Sequence, residues 1–304
     1  QKMKAIVTAV ENSALDLRQL IKLLVYALLL INFALYIQDD WVIASFTMRN
    51  GGSLLDWTGA FATTLDESAW IILLVLFELE TYILSDEALS RPKALLMHGV
   101  RVICYGVLAH TLFAYGIYVY ELGGVTPIAD ISNLCQLVGN DVSYAYNLLY
   151  TALDAVNCQQ LSSATQFFYI DPPEFIIVND NPGLVVERQL AWVDLLEAAT
   201  WLMILLSIEA VVWLQDRGIS GGALIGGLNS AKYLLYGLLL LAIAYWIFRG
   251  HFMFAWDEFV WIAGFIAIEM NVAEWRQEII EDQTRSQESN PELTPAPKSS
   301  STRT

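Results

Sequence analysis

Six apolar stretches of about 20 residues constrain this chain more than any other feature, because each is long enough to cross ~30 Å of hydrocarbon as a helix. They lie near residues 19–37, 68–86, 97–121, 190–214, 231–249 and 256–275. Lipid offers no partner for a bare N–H or C=O, so such stretches must close their own hydrogen bonds as helices. All eight prolines, at 92, 127, 172, 173, 182, 291, 295 and 297, fall outside them, and the spans therefore read as unbroken. With 56% hydrophobic residues, the composition is that of a multi-pass membrane protein rather than a soluble domain.

Charge sets the expected orientation. Lys2, Lys4, Arg18 and Lys22 precede the first span, and Arg91, Lys93 and Arg101 lie between spans two and three. Arg217 and Lys232 lie between spans four and five, and Arg276, Arg285, Lys298 and Arg303 follow the last. The other side has only Arg49, Arg188 and Arg249, which predicts cytoplasmic N and C termini. Trp41, Trp57, Trp70, Trp192, Trp256 and Trp261 would form an outer aromatic belt, and Trp213 and Trp275 an inner one. A net charge of −16 leaves no basic footprint, so nucleic acid is not an expected partner.

Outside the spans, residues 1–17 read as an amphipathic helix ahead of a transmembrane domain over 18–280. Residues 122–189, between spans three and four, are long enough for a small extracytoplasmic cap. Within it Asp141–Val156 reads as a helix, Phe167–Ile170 and Phe175–Val178 as short strands, and Leu184–Val186 as a third. Cys135 and Cys158 share this loop and are expected to pair in an oxidising compartment. Residues 281–304, rich in Ser, Thr, Pro, Glu and Gln, are expected to be disordered.

Two motifs recur. In the even spans a Trp is followed eight residues later by a Glu: Trp70 and Glu78, Trp201 and Glu209, Trp261 and Glu269. An earlier Glu, at 67, 197 or 258, precedes each Trp by three or four residues. In the odd spans a basic residue is followed at the fourth position by Tyr and then a small residue: Lys22 and Tyr26, Arg101 and Tyr105, Lys232 and Tyr236. The fold expected from this is an all-α membrane protein of six helices, built as three repeated hairpins in a pseudo-threefold arrangement.

The repeat places chemistry as well as helices. An odd span rises from the cytoplasm and its partner returns, so each hairpin should bring a base, a phenol and a Glu to one depth in the inner half of the membrane. Glu78, Glu80, Glu209 and Glu269 would form a carboxylate ring, with Lys22, Arg101 and Lys232 as counter-charges and Tyr26, Tyr105 and Tyr236 orienting the acids. Glu67, Glu197 and Glu258 are outer acidic positions, and His110, mid-way along span three, is a candidate relay between the two levels. Carboxylates inside a membrane are costly and mark ion or proton pathways.

The expected function is therefore a cation- or proton-conducting channel or transporter, in contact with lipid and with protons or monovalent cations. The rival is a non-conducting scaffold or accessory subunit whose buried Glu–Lys/Arg–Tyr clusters are structural and whose 122–189 cap or acidic C-terminal tail binds another protein. No cofactor and no metal site is expected. G-x-S-x-G, H-E-x-x-H and a phosphate-binding glycine loop are all missing, which leaves an enzyme acting on lipid only as a third reading, one that requires a headgroup-sized pocket at the inner layer.

Overall fold

The computed structural model describes residues 2–79, 91–164, 166–171, 175–217 and 222–266. The chain is mostly helical. Helix α1 runs over Lys2–Thr47, α2 over Leu54–Ala60, α3 over Ala62–Glu78 and α4 over Arg91–Gly123. A short α5, Cys158–Leu161, precedes α6, Val185–Asp216, and α7, Ala223–Arg249. The described part of a further helix, α8, covers 252–266.

Four of these are long and apolar enough to cross a membrane: Gln19–Thr47 within α1, Arg91–Gly123, Asp180–Val211 and Ala223–Arg249. Helices α2 and α3 give a fifth if they count as one span broken by a 71° bend. Parts of the expected second and sixth spans lie outside the described residues, as do Glu80, Glu269, Trp275 and the 281–304 tail.

Residues 1–17 do not form an element of their own, because α1 continues through residue 18 without a break. No Pro or Gly interrupts the sequence between Lys2 and Thr47, so nothing stops the helix until Asn50-Gly51. Helix α2 begins at a capping box, in which the Ser53 side chain accepts from Asp56 N and Asp56 in turn accepts from Ser53 N. Helix α3 starts at Phe61, which offers no side-chain cap. Asp40, reaching across from α1, accepts the Thr64 N–H at 2.9 Å and satisfies one donor of that first turn.

Residues 27–259 form one compact unit, distinct from that of the two terminal stretches. Within 27–259, α4 packs between α3 and α6, and α6 packs against α7. The Arg188 Nε donates to the Leu122 carbonyl at 2.8 Å, closing the end of α4 against the start of α6. In the terminal unit, a Cβ on Gly264 would come within 3.3 Å of Val25 Cγ1, so the helices approach closely there.

The segment between α4 and α6 is a folded unit with a four-stranded mixed sheet in the order β2-β1-β4-β3. The strands are β1 Ser143–Tyr146, β2 Leu149–Ala152, β3 Phe167–Asp171 and β4 Ile176–Asn179. Strand β1 is antiparallel to β2 and parallel to β4, and β3 is antiparallel to β4. Alternate residues serve two cores, as a period of two requires. Ala145, Phe168, Ile170, Ile176 and Val178 face Leu122, Phe46, Tyr118 and Ala191 on the helices. Tyr144, Phe167 and Ile177 face Leu134, Leu137 and Leu161 on the other side. Cys135 and Cys158 form a disulfide beneath that second core.

Two expectations for this segment fail. Asp141–Val156 is a β-hairpin rather than a helix. Its apolar residues pair across strands, Tyr144 with Thr151 and Tyr146 with Leu149, and Asn147 and Leu148 adopt the left-handed backbone of a two-residue hairpin turn. Leu184–Val186 is not a strand, since it leads into α6.

Candidate functional site

The polar core of the helices is acidic. Glu67 on α3 and Asp257 and Glu258 on α8 are only 6%, 4% and 8% exposed, as enclosed as the apolar side chains around them. Adjacent helical residues point about 100° apart, and Asp257 and Glu258 accordingly meet different neighbours. Asp257 accepts from Asn32 Nδ2 on α1 at 2.7 Å and from the Tyr36 hydroxyl one turn along the same helix face. Glu258 turns to α6, where Trp201 Nε1 donates to both its oxygens at 2.9 and 3.0 Å.

Glu197 lies one helical turn before Trp201 on α6, and it accepts from Trp246 Nε1 of α7 at 2.8 Å. Trp70 of α3 meets Trp201 edge-on, with ring centroids 5.8 Å apart. The Glu67 and Asp257 carboxyls are neighbours in this group. Two carboxyls can share a hydrogen bond only when one of them holds a proton. Tyr36 sits at the centre of the group, with Asp257, Glu67, Glu197 and Glu258 as its acidic neighbours. The charged neighbours of Glu197 are likewise acidic: Glu258, Asp194 and Asp257. This layer is thus held by amide, phenol and indole donors.

Asp66 extends the layer toward α4 through hydrogen bonds to Trp70 and Thr111. The neighbour of Thr111 on that helix is His110, whose Nε2 is closed off from solvent and has no hydrogen-bond partner. At the ends of α6 and α7, burial, and after it the nearby Arg249, holds the His251 imidazole below its usual range. No group of three or more His, Cys, Asp or Glu side chains among the described residues has the arrangement of a metal site.

The inner-layer residues expected from the repeat are placed as follows. The Tyr105 hydroxyl of α4 donates to Glu209 Oε1 of α6 at 2.5 Å, the phenol–acid contact foreseen for the second hairpin. Lys22 Nζ lies 5.9 Å from the centre of the Tyr26 ring, one turn away on α1. Tyr236 meets Trp201 edge-on, at 6.5 Å between centroids. Glu78, Arg101 and Lys232 are half-buried on α3, α4 and α7.

The tryptophans expected in two interfacial belts divide by exposure. Trp41, Trp57, Trp192 and Trp256 are exposed, as is Trp213 at the other level, but Trp70 and Trp261 are buried. Trp70 is drawn inward because it belongs to the acidic layer, where Asp66 and Trp201 are its partners. The residues that sequence reading missed are Asn32, Tyr36, Trp246 and the role of Asp257. A signal existed: Asn32 and Tyr36 are two polar groups at i, i+4 inside an apolar span, and Asp66-Glu67 and Asp257-Glu258 are tandem acids at helix starts. The chain matches no known protein family, no curated protein and no solved structure.

Proposed function

We propose that this chain is a membrane protein that moves protons through its buried acidic layer. The observation that carries the reading is the burial of Glu67, Asp257 and Glu258 in one group, with the Glu67 and Asp257 carboxyls as neighbours. A proton shared by two acids, flanked by Tyr36 and Asn32, is one that can change hands at little cost. In this reading the chain has six spans arranged as three hairpins, both termini are cytoplasmic, and the 122–189 unit caps the outer face.

The repeated Glu/Trp positions support it. Glu67 from the first copy meets Asp257 of the third, and Trp201 of the second donates to Glu258 of the third. The acidic layer then lies in the outer half of the membrane, and Glu209 with Tyr105 lies in the inner half. Glu197 and Glu209 are 12 residues apart on α6, which is roughly 18 Å along the axis. That is far beyond one hydrogen bond, so a relay is required, and His110 supplies it through its unpartnered Nε2. The sequence repeat is what assigns Glu78, Glu80, Glu269, Lys22, Arg101 and Lys232 to the same path in this reading.

The test is proton uptake by liposomes containing the purified chain under an imposed membrane potential. Asp257→Asn should reduce uptake roughly 100-fold, the range a placed acid–base group contributes. A rate unchanged by Asp257→Asn, or no uptake by the wild type, rejects the reading. Uptake replaced by sodium or potassium flux would make the same layer a cation path. A second reading, a non-conducting scaffold that binds a protein through its cap or acidic tail, is favoured by the hydrogen bonds that satisfy Asp257, Glu258 and Glu197.

A further inference from the structure

The turn of the β1–β2 hairpin departs from what its backbone favours, and the departure has a target. Asn147 and Leu148 have φ of 54° and 62°, the left-handed region at both central positions of the turn. Glycine is the residue such a turn favours at its second position, and a bulky side chain there is a true outlier that surrounding structure must hold in place. Leu148 is held by packing. Its side chain lies against the cluster of Val186, Leu190, Trp246 and Ala255, at the start of α6, the end of α7 and the start of α8.

Asn147 fastens the turn to the same ends. Its N–H donates to Glu187 Oε1 at 2.7 Å and its Nδ2 to the Arg249 carbonyl at 3.1 Å. Arg249 donates back from Nε and from its terminal nitrogen to Asn147 Oδ1, at 2.9 and 2.7 Å. Trp246, against which Leu148 packs, is the residue that donates to Glu197. One indole thus touches the hairpin tip on one side and the acidic layer on the other.

We propose that the Asn147–Leu148 turn is a plug that closes the α6–α7 end of the acidic layer, with Leu148 as the wedge and Asn147–Arg249 as the latch. The inference rests on the transport reading above. The sequence forgoes the easier Asn-Gly turn in order to place an isobutyl group between the helix ends. Lifting the turn uncovers Trp246 and, behind it, Glu197. The base of the plug is fixed, since the disulfide joins Cys135 and Cys158 on either side of the hairpin.

Leu148→Gly separates the plug from the hairpin, because it removes the wedge while giving the turn its preferred residue. Two measurements on the full chain decide the matter: proton uptake in liposomes, and amide hydrogen exchange over 185–197 and 243–249. A closed device opens only in its minor population, so removing the wedge should raise uptake roughly tenfold, with faster exchange in both stretches. Leu148→Ala, which keeps a Cβ, should shift both in the same direction and serves if Leu148→Gly does not fold. Unchanged exchange and unchanged uptake overturn the plug alone. Faster exchange with no uptake by wild type or variant overturns the transport reading, and the gate with it.

Discussion

Glu187 and Glu67 are both closed off from solvent, at 1% and 6% exposed, but they are satisfied in opposite ways. Glu187 accepts from the backbone N–H groups of Asn147 and Leu148 and has the Arg249 guanidinium nearby. Its donors are fixed by the hairpin, and it sits in the first turn of α6, where the helix dipole favours an acid. Glu67 instead lies beside another carboxyl, that of Asp257, with Tyr36 close to both. The first arrangement is a joint that has no use for a mobile proton. The second sets acid beside acid, the arrangement that the proposed proton path would use. Burial alone does not distinguish the two.

The contrast is open to attack at both ends. Asp257→Asn carries the largest expected effect: the roughly 100-fold loss of uptake named above, with stability held to within about 1 kcal/mol because an amide can still bond to Asn32 and Tyr36. A loss of folding instead of flux would place Asp257 in the same class as Glu187. Glu187→Ala should do the reverse. It leaves the backbone N–H groups of Asn147 and Leu148 without their acceptor, costing about 3 kcal/mol in a denaturant titration. Tyr105→Phe probes the contact with Glu209 at smaller scale, and an interhelical polar contact of this kind contributes about 1 kcal/mol. No change in the unfolding midpoint would remove Glu209 from the set of acids that have a structural partner.

The smallest effect is one of pH. Burial lowers the His251 pKa in the folded protein, so the unfolded chain binds the proton more readily. The stability that neutral His251 contributes is complete above its unfolded value of about 6.5 and is lost as the pH falls from there through the lower folded value. His251→Phe, which keeps a ring stacked on Phe254 and edge-on to Trp246, should flatten that part of the stability profile. A profile unchanged by the substitution would show that the decline belongs to the acids and not to this joint.

The long helices were legible because a span of apolar residues without proline has little choice in lipid. The outer acids were legible for a related reason: Glu67, Glu197 and Glu258 recur beside a Trp, and a recurring charge in an apolar setting needs a cause. Their meeting was not legible. It depends on Asn32 and Tyr36 facing Asp257 from a helix more than 200 residues away in sequence, and helical period alone does not say which face meets which. The hairpin at Asp141–Val156 was misread because its turn lacks glycine. The Asn147-Leu148 pair gives no turn signal until the pocket that holds Leu148 is seen.

The sheet has one face made of residues that pack on α1, α4 and α6, through Phe46, Tyr118, Leu122 and Ala191. Two of those helices are synthesised before the strands and one after them. During biogenesis the face of β1 to β4 that carries Ile176 and Val178 therefore lacks the part of its cover that Ala191 supplies until α6 has left the ribosome. Any quality-control factor attending this chain would find its client at that moment, and a truncation ending after β4 would strand it there.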